Sequence, residues 1–308
     1  MDDNIVSFIE PSQQLNPYRV RHAWQKCGDD LVDPTSLITQ IGKQLIIRLE
    51  EIKIEPKHIL NFGERSGLLT ADLRKKWPKA KVTTATMAQA AAIHAAPYHG
   101  FIRKTRQPAI VTGDRLLPFK RNSFDVVISN MALHWCNNQK ATLREMRRVL
   151  KPGGAFLMSM AGGESLQELK VCLADEDKLR WGKAWPRLPQ LPDMHSFGDL
   201  LASSGFYQTI VDRDPIQAPF PDLNTLLKGL KKMGAGNHHK NRLSGLTPKG
   251  YFTELSQSYS KRFSLPNGGI NVSMEILFGH AWKADPSRVE EQQTQSCALP
   301  KPTIDPQL

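Results

Sequence analysis

The sequence predicts a doubly wound α/β fold on a mostly parallel, seven-stranded sheet. Three observations carry that prediction. Between residues 58 and 160, short apolar or β-branched runs alternate with runs at helical spacing. The turn-prone stretches NFGERSG (61–67), TATM (84–87), TGD (112–114) and SNMALHW (129–135) fall at the carboxyl ends of successive predicted strands. That is the edge where such sheets bind ligands. The chain of 308 residues, 40% of them hydrophobic, is long enough to bury one large core.

Taken in order, residues 1–35 read as a loose, polar lead-in. SLITQIGKQLIIRLEEIKI (36–54) spaces its apolar side chains for a helix, with Ser36 as N-cap. HILNF (58–62) is a short buried strand, SGLLTADLRKKW (66–77) a helix stopped by Pro78, and KVTTAT (81–86) a β-branched strand. The alanine-rich MAQAAAIHAA (87–96) is helical and AIVTGD (109–114) a strand. FDVVISN (124–130) is the clearest strand of all. KATLREMRRVLKPGG (140–154) reads as an amphipathic helix with a glycine stop, AFLMSM (155–160) as a central strand, and 164–176 as a helix. Residues 177–195 read as a connection, SFGDLLASSGF (196–206) as a helix and YQTIVDRD (207–214) as a strand. A helical insertion is expected over about 215–265, with helices near 222–234 and 247–262. NVSMEILFGHAWK (271–283) closes the domain, which spans 36–283, and the polar, proline-bearing 284–308 is expected to be disordered.

The formal net charge is +11, with basic clusters at 74–81, 101–106, 144–151 and 228–242. A basic face attracts acidic partners at long range, nucleic acid and an acidic protein being the two candidates. No run approaches a membrane span, and the start MDDNIVSFIE has no export pattern, so a cytoplasmic location is expected. Cys27, Cys136, Cys172 and Cys297 show neither zinc nor disulfide spacing and read as reduced thiols. The histidines of HHK (238–240) are neighbours in a polar turn, so no metal site is expected.

A turn of the G-x-G-x-G kind uses glycine because side chains would block a ligand. Gly63 and Gly67 keep its outer positions, while Arg65 takes the middle one and Asn61 stands where an acid is common. Thr86 ends the second strand, where a carboxylate usually grips a ribose, and Met87 follows it. Asp114 could accept from an adenine amino group, and Asn130 through Trp135 would wall the cleft.

FDVVISNMALHW (124–135) followed by RRVLKPGG (147–154) resembles the class I methyltransferases, whose members bind S-adenosylmethionine. MAGGESLQELK (160–170), DMHSFGDLLASSGF (193–206), LLKGLKKMGAGN (226–237) and MEILFGHAWK (274–283) narrow the resemblance to the malonyl-acyl-carrier-protein O-methyltransferases of biotin synthesis, over about residues 20–283. The arginine hydroxylases of complex I assembly share the LPFK (117–120) and LHW (133–135) features and compete with it.

The resemblance implies S-adenosylmethionine held around Asn61, Gly63, Arg65, Gly67, Thr86, Met87, Asp114 and Asn130. It also implies an acidic, malonyl-loaded acyl-carrier protein as partner. Against the family pattern, Asn61, Arg65 and Thr86 depart on the cofactor side, and Trp24 and Leu31 stand where phenylalanine and tyrosine are usual. Loss of the ribose acid alone weakens binding by roughly tenfold to a hundredfold. Methylating an ionised carboxylate needs alignment and dryness rather than a strong base, so no triad is expected. His134 and Trp135 are the near-site pair, and Arg242 is the candidate carboxylate clamp. The altered turn keeps a second possibility open, a non-catalytic binding or assembly relative. A nucleic-acid methyltransferase ranks last, because SNMALHW offers no N/D-P-P-Y/F tetrapeptide.

Overall fold

In a computed structural model of the chain, residues 15–27, 33, 35–87, 92, 109–111, 116–266 and 268–286 are described. Their strands form one sheet in the order β3-β2-β1-β4-β5-β7-β6. The strands are β1 (His58–Phe62), β2 (Lys81–Thr86), β3 (Ala109–Val111), β4 (Phe124–Asn130), β5 (Leu150–Ala161), β6 (Tyr207–Phe220) and β7 (Ile270–Trp282). β1 through β5 pair in parallel, and β7 runs antiparallel to both β5 and β6. The expected doubly wound sheet is therefore present. The order reverses at β1, which opens a crevice between the carboxyl ends of β1 and β4.

Strand side chains alternate between two cores, as a period of two requires. Leu60, Phe62, Val127, Phe156 and Met158 face α4 (Gln139–Val149) and α6 (Met194–Ser203). Ile59, Val82, Val126, Ile128 and Leu157 face α2 (Leu37–Glu51) and α3 (Leu68–Lys76). Ser36 caps α2 by accepting from the Thr39 amide. A third cluster joins α5 (Gln167–Trp181), α7 (Leu223–Lys232) and α8 (Lys249–Phe263) to the start of β7. It forms a helical cap beside the sheet.

Four element boundaries differ from the sequence reading. The lead-in contains a helix, α1 (Pro17–Lys26), whose N-cap Asn16 accepts from the Tyr18 and Arg19 amides. Asn followed by Pro is a start signal, because Pro has no amide to leave unsatisfied in the first turn. α4 ends at Val149 and Leu150 already pairs with Phe124, so KPGG belongs to β5 and not to a helix end. Pro152 disfavours helix at Lys151. α5 continues to Trp181, which shortens the expected connection. β6 runs to Phe220 through Pro215 and Pro219, residues that an edge strand tolerates. Of the expected helix at 87–96, only Met87 and Ala92 are described, and the tail from 287 onward, like Cys297, lies outside the described residues.

Candidate active site

The crevice begins at the turn after β1. Gly63 and Gly67 both adopt the left-handed conformation, each at φ 81°. A Cβ on Gly63 would stand 2.1 Å from the Cβ of Ala132, so the turn packs directly on the segment after β4. Gly67 caps α3 and leaves that helix's first amides facing the turn.

Two of those amides are taken within the chain, Leu68 by the Ser66 hydroxyl and Thr70 by Glu64, which also takes two amides of the turn. Glu64 is buried at the centre of the turn. One of its carboxylate oxygens accepts from the amides of Arg65 (2.9 Å) and Ser66 (3.0 Å) and from the Ser66 hydroxyl (3.3 Å). The other accepts from the Thr70 amide (3.0 Å), the Thr70 hydroxyl (3.1 Å) and the Asn61 Nδ2 (2.8 Å). A helix N-terminus is an anion site by construction, and here its anion is the chain's own glutamate. Sequence reasoning missed Glu64. The signal was an acid inside the turn itself, just before Arg65.

Arg65 runs along the crevice. Its Nη1 donates to the Met233 carbonyl at 2.8 Å and its Nη2 to the Met131 carbonyl at 3.4 Å. Its guanidinium carbon lies 5.0 Å from the centre of the Trp24 ring of α1. Burial pulls the guanidinium down to about 10, against weaker upward pulls from Cys27 and Glu64. It remains charged at neutral pH. His134 is buried beside it, in the short 3-10 turn Leu133–Trp135. Burial first, and the Arg65 charge second, push its imidazole down to about 3, so His134 is neutral. Its ring lies 5.0 Å from that of Trp135, which in turn lies 5.4 Å from that of His238.

The structure thus gathers Asn61, Gly63, Arg65, Gly67, Asn130, His134 and Trp135 at one sheet edge. Asn130 bridges two elements, donating to the Ile38 carbonyl of α2 and accepting from Ser159 of β5. Thr86 is buried at the end of β2 and Met87 packs at the edge of the Trp24 cluster. Arg242 sits half-buried in the loop after α7, its amide donating to the His239 carbonyl at 3.4 Å. Asp114 and Leu31 lie outside the described residues. Trp24 Nε1, Asn61 Oδ1, Ser129 Oγ, His134 Nδ1 and Trp135 Nε1 are buried without a hydrogen-bond partner, and all belong to elements that meet at this edge. No group of three or more His, Cys, Asp or Glu among the described residues is placed to hold a metal. No helix of the described residues is long and apolar enough to cross a membrane.

Known proteins resemble this chain at two levels. The methyltransferase-domain family matches residues 60–158. A malonyl-[acyl-carrier protein] O-methyltransferase of Nitrosospira multiformis is 30% identical over 295 residues, covering 91% of this chain and 93% of that one. Its counterpart from Gallionella capsiferriformans is 29% identical over 271 residues, covering 87% and 91%. Among solved structures, a candidate methyltransferase of Bacillus halodurans superposes with a TM-score of 0.54 at 16% identity, over 79% of this chain and 99% of its own. The [4+2]-cyclase SpnF superposes at 0.51 with 15% identity, over 82% and 85%. At these identities the structural likeness concerns the fold alone.

The cofactor of class I methyltransferases is S-adenosylmethionine, and in this structure Arg65 lies across the part of its crevice that the described residues enclose. The free space between Asn61, Glu64, Arg65, Asn130 and α2 is about 20 Å³, room for about one water. A site for a ligand of cofactor size needs about 300–1,000 Å³. Asn61 and Thr86 supply no carboxylate, and the turn's donors are engaged by Glu64.

Proposed function

Because the chain belongs to the malonyl-[acyl-carrier protein] O-methyltransferase family, a family of S-adenosylmethionine-dependent methyltransferases, we propose that it esterifies the free carboxylate of a malonyl group carried on an acyl-carrier protein, in the cytoplasm, as a step of biotin synthesis. The observation that carries this reading is the reach of the likeness. It runs past the methyltransferase domain at 60–158 and through the helical cap.

The chemistry asks little of proton transfer, since a carboxylate is ionised at neutral pH. The protein has to hold two reactants in line and keep water out. His134 and Trp135 suit that task as a neutral, buried wall. Arg242 is the proposed acceptor clamp, and Asp114 the proposed adenine contact. Exposed Arg19, Arg21 and Lys26 of α1, with Lys228, Lys231 and Lys232 of α7, supply basic side chains for an acidic carrier protein.

Complementation tests this directly. The chain is expected to restore growth to a biotin-requiring strain lacking this methyltransferase, and to place a methyl ester on malonyl carrier protein in vitro. Growth failure together with no ester overturns the reading. The filled crevice favours a second reading, in which the fold binds or assembles without turnover. Recovery of a stable partner by a chain that forms no ester would support it.

A further inference from the structure

The crevice that should receive the cofactor is filled by two adjacent residues of the chain's own first turn. Glu64 holds the turn from inside through its six hydrogen bonds, which involve the amides of Arg65, Ser66 and Thr70. Arg65 extends from the same turn to the far wall, where the Met131 and Met233 carbonyls accept its protons. We infer that Arg65 is a latch: it keeps the cofactor crevice shut, and the crevice opens only when the segment after α7 releases it.

Three features make Arg65 a moving part and not a fixed strut. Its φ is not left-handed, unlike those of Gly63 and Gly67, so its side chain can swing without rebuilding the turn. The described hydrogen bonds of its guanidinium are to two neutral carbonyls and none is to a carboxylate. Burying a cation costs free energy that carbonyl dipoles only partly offset. Opening returns that charge to water, so the closed state is not deeply favoured.

The other end of the latch is equally specific. Met233 is the C-cap of α7, directly after Lys231 and Lys232. Gly234 packs 3.5 Å from the Trp24 ring by its notional Cβ, and its carbonyl meets His238 Nε2 at 2.8 Å. The Asn16 amide donates to the His238 carbonyl at 2.8 Å, and Leu15 bridges His239. Residues 233–239 and α1 therefore form one lid over Arg65. Of the basic side chains proposed to meet the carrier protein, Arg19, Arg21 and Lys26 lie on this lid, and Lys231 and Lys232 directly precede its residue Met233. Acceptor docking and cofactor entry then act on the same element, so cofactor affinity depends on where the lid sits.

This inference rests on the reading of the crevice as the cofactor site, and its test separates the two. S-adenosylhomocysteine is titrated by calorimetry into the wild-type chain, Arg65→Ala and Arg65→Met, with far-UV circular dichroism to verify folding. If the open form is a minor population, freeing the crevice raises apparent affinity by the inverse of that population. Both variants are expected to bind roughly tenfold tighter or better. Equal affinity in all three proteins overturns the latch and leaves the cofactor reading standing. Weaker binding in the variants also overturns it, and would make Arg65 a cofactor ligand. No binding in any of the three removes both. Should the variants not fold, the wild-type chain decides alone. Saturating S-adenosylhomocysteine must speed amide exchange over residues 233–238, and unchanged or slower exchange refutes the latch.

Discussion

Arg65 Nη1 donates to the carbonyl oxygen of Met233 across 168 positions of sequence, at 2.8 Å. That one bond joins the first turn of the sheet to the lid over it. It also places a buried cation among carbonyl dipoles, where ion pairing would ordinarily be expected. The arrangement has consequences for stability that are separable from ligand binding.

Arg65→Met should fold and lose little. Removing a buried cation recovers its desolvation cost, and this offsets the loss of about 1–3 kcal/mol for each of the two carbonyls left without a donor. Methionine can follow the same path over Trp24 without needing the two carbonyls. Urea denaturation is expected to show unchanged or higher stability, and a loss above about 2 kcal/mol would show that the guanidinium is a structural support. The same variant removes a positive neighbour of His134, so the imidazole should titrate at higher pH by NMR than in the wild type.

Two glycines with similar backbones should respond differently to alanine. Gly63 and Gly182 sit at φ 81° and 72°, so both pay a left-handed penalty of about 1–2 kcal/mol. At Gly182 a Cβ meets nothing within 4 Å, whereas at Gly63 it meets Ala132 at 2.1 Å. Overpacking adds about 1–3 kcal/mol there. Gly63→Ala should therefore be the more destabilised by at least about 1 kcal/mol in urea melts. Equal losses would mean that the segment after β4 yields freely.

Most of the sheet was legible because its signal is local. β1, β2 and β4 fall where the β-branched and apolar runs place them. The same holds for the Ser36 cap and for the left-handed Gly63 and Gly67, since those residue types leave few alternatives. α1 and the long β6 were not legible from composition. The first hides behind an Asn-Pro start in a polar stretch, and the second carries prolines that only its edge position excuses. At the site, the departure at Arg65 could be read, but not its direction. Whether a long side chain points out or lies across a crevice depends on Met233 and Trp24, which are distant in sequence. Glu64 was overlooked because a carboxylate that binds its own turn looks, in sequence, like any loop acid.

The cap offers a test of a buried charge network that lies away from the crevice. Asp177 is fully buried. It accepts from Arg187 Nη2 at 2.6 Å, Arg187 Nε at 2.9 Å, the Tyr251 hydroxyl at 2.7 Å and the Trp185 amide at 3.1 Å. Removing the cation leaves a buried carboxylate uncompensated, which costs about 3–5 kcal/mol. Tyr251→Phe removes one neutral donor and should cost about 1–2 kcal/mol. Arg187→Met should thus destabilise more than Tyr251→Phe. The double variant should depart from additivity because the two share one acceptor. An additive cycle would show that they act independently.

The neutral, buried His134 predicts how stability depends on pH. In the folded chain its imidazole is pushed down to about 3, chiefly by burial, while in the unfolded chain it titrates near the ordinary 6.5. Below pH 6.5 the unfolded state therefore binds a proton that the folded state refuses. Protonation favours unfolding, so stability falls as pH drops from about 6.5 toward 3, by up to about 1.4 kcal/mol per pH unit for one such group. Above pH 6.5 both states are neutral and this dependence vanishes. Burial lowers His238 and His280 as well, so they add to the fall in the same direction. The lowered carboxyls of Asp125 and Glu145 lose their stabilising contribution only at more acidic pH. Denaturation at pH 7.5, 6.0 and 5.0 isolates the histidine window. His134→Asn is expected to flatten the slope between pH 6.0 and 5.0 while leaving the plateau above 6.5 level. An unchanged slope in the variant would mean that His134 gains its proton without unfolding, and that the crevice is wetter than its packing indicates.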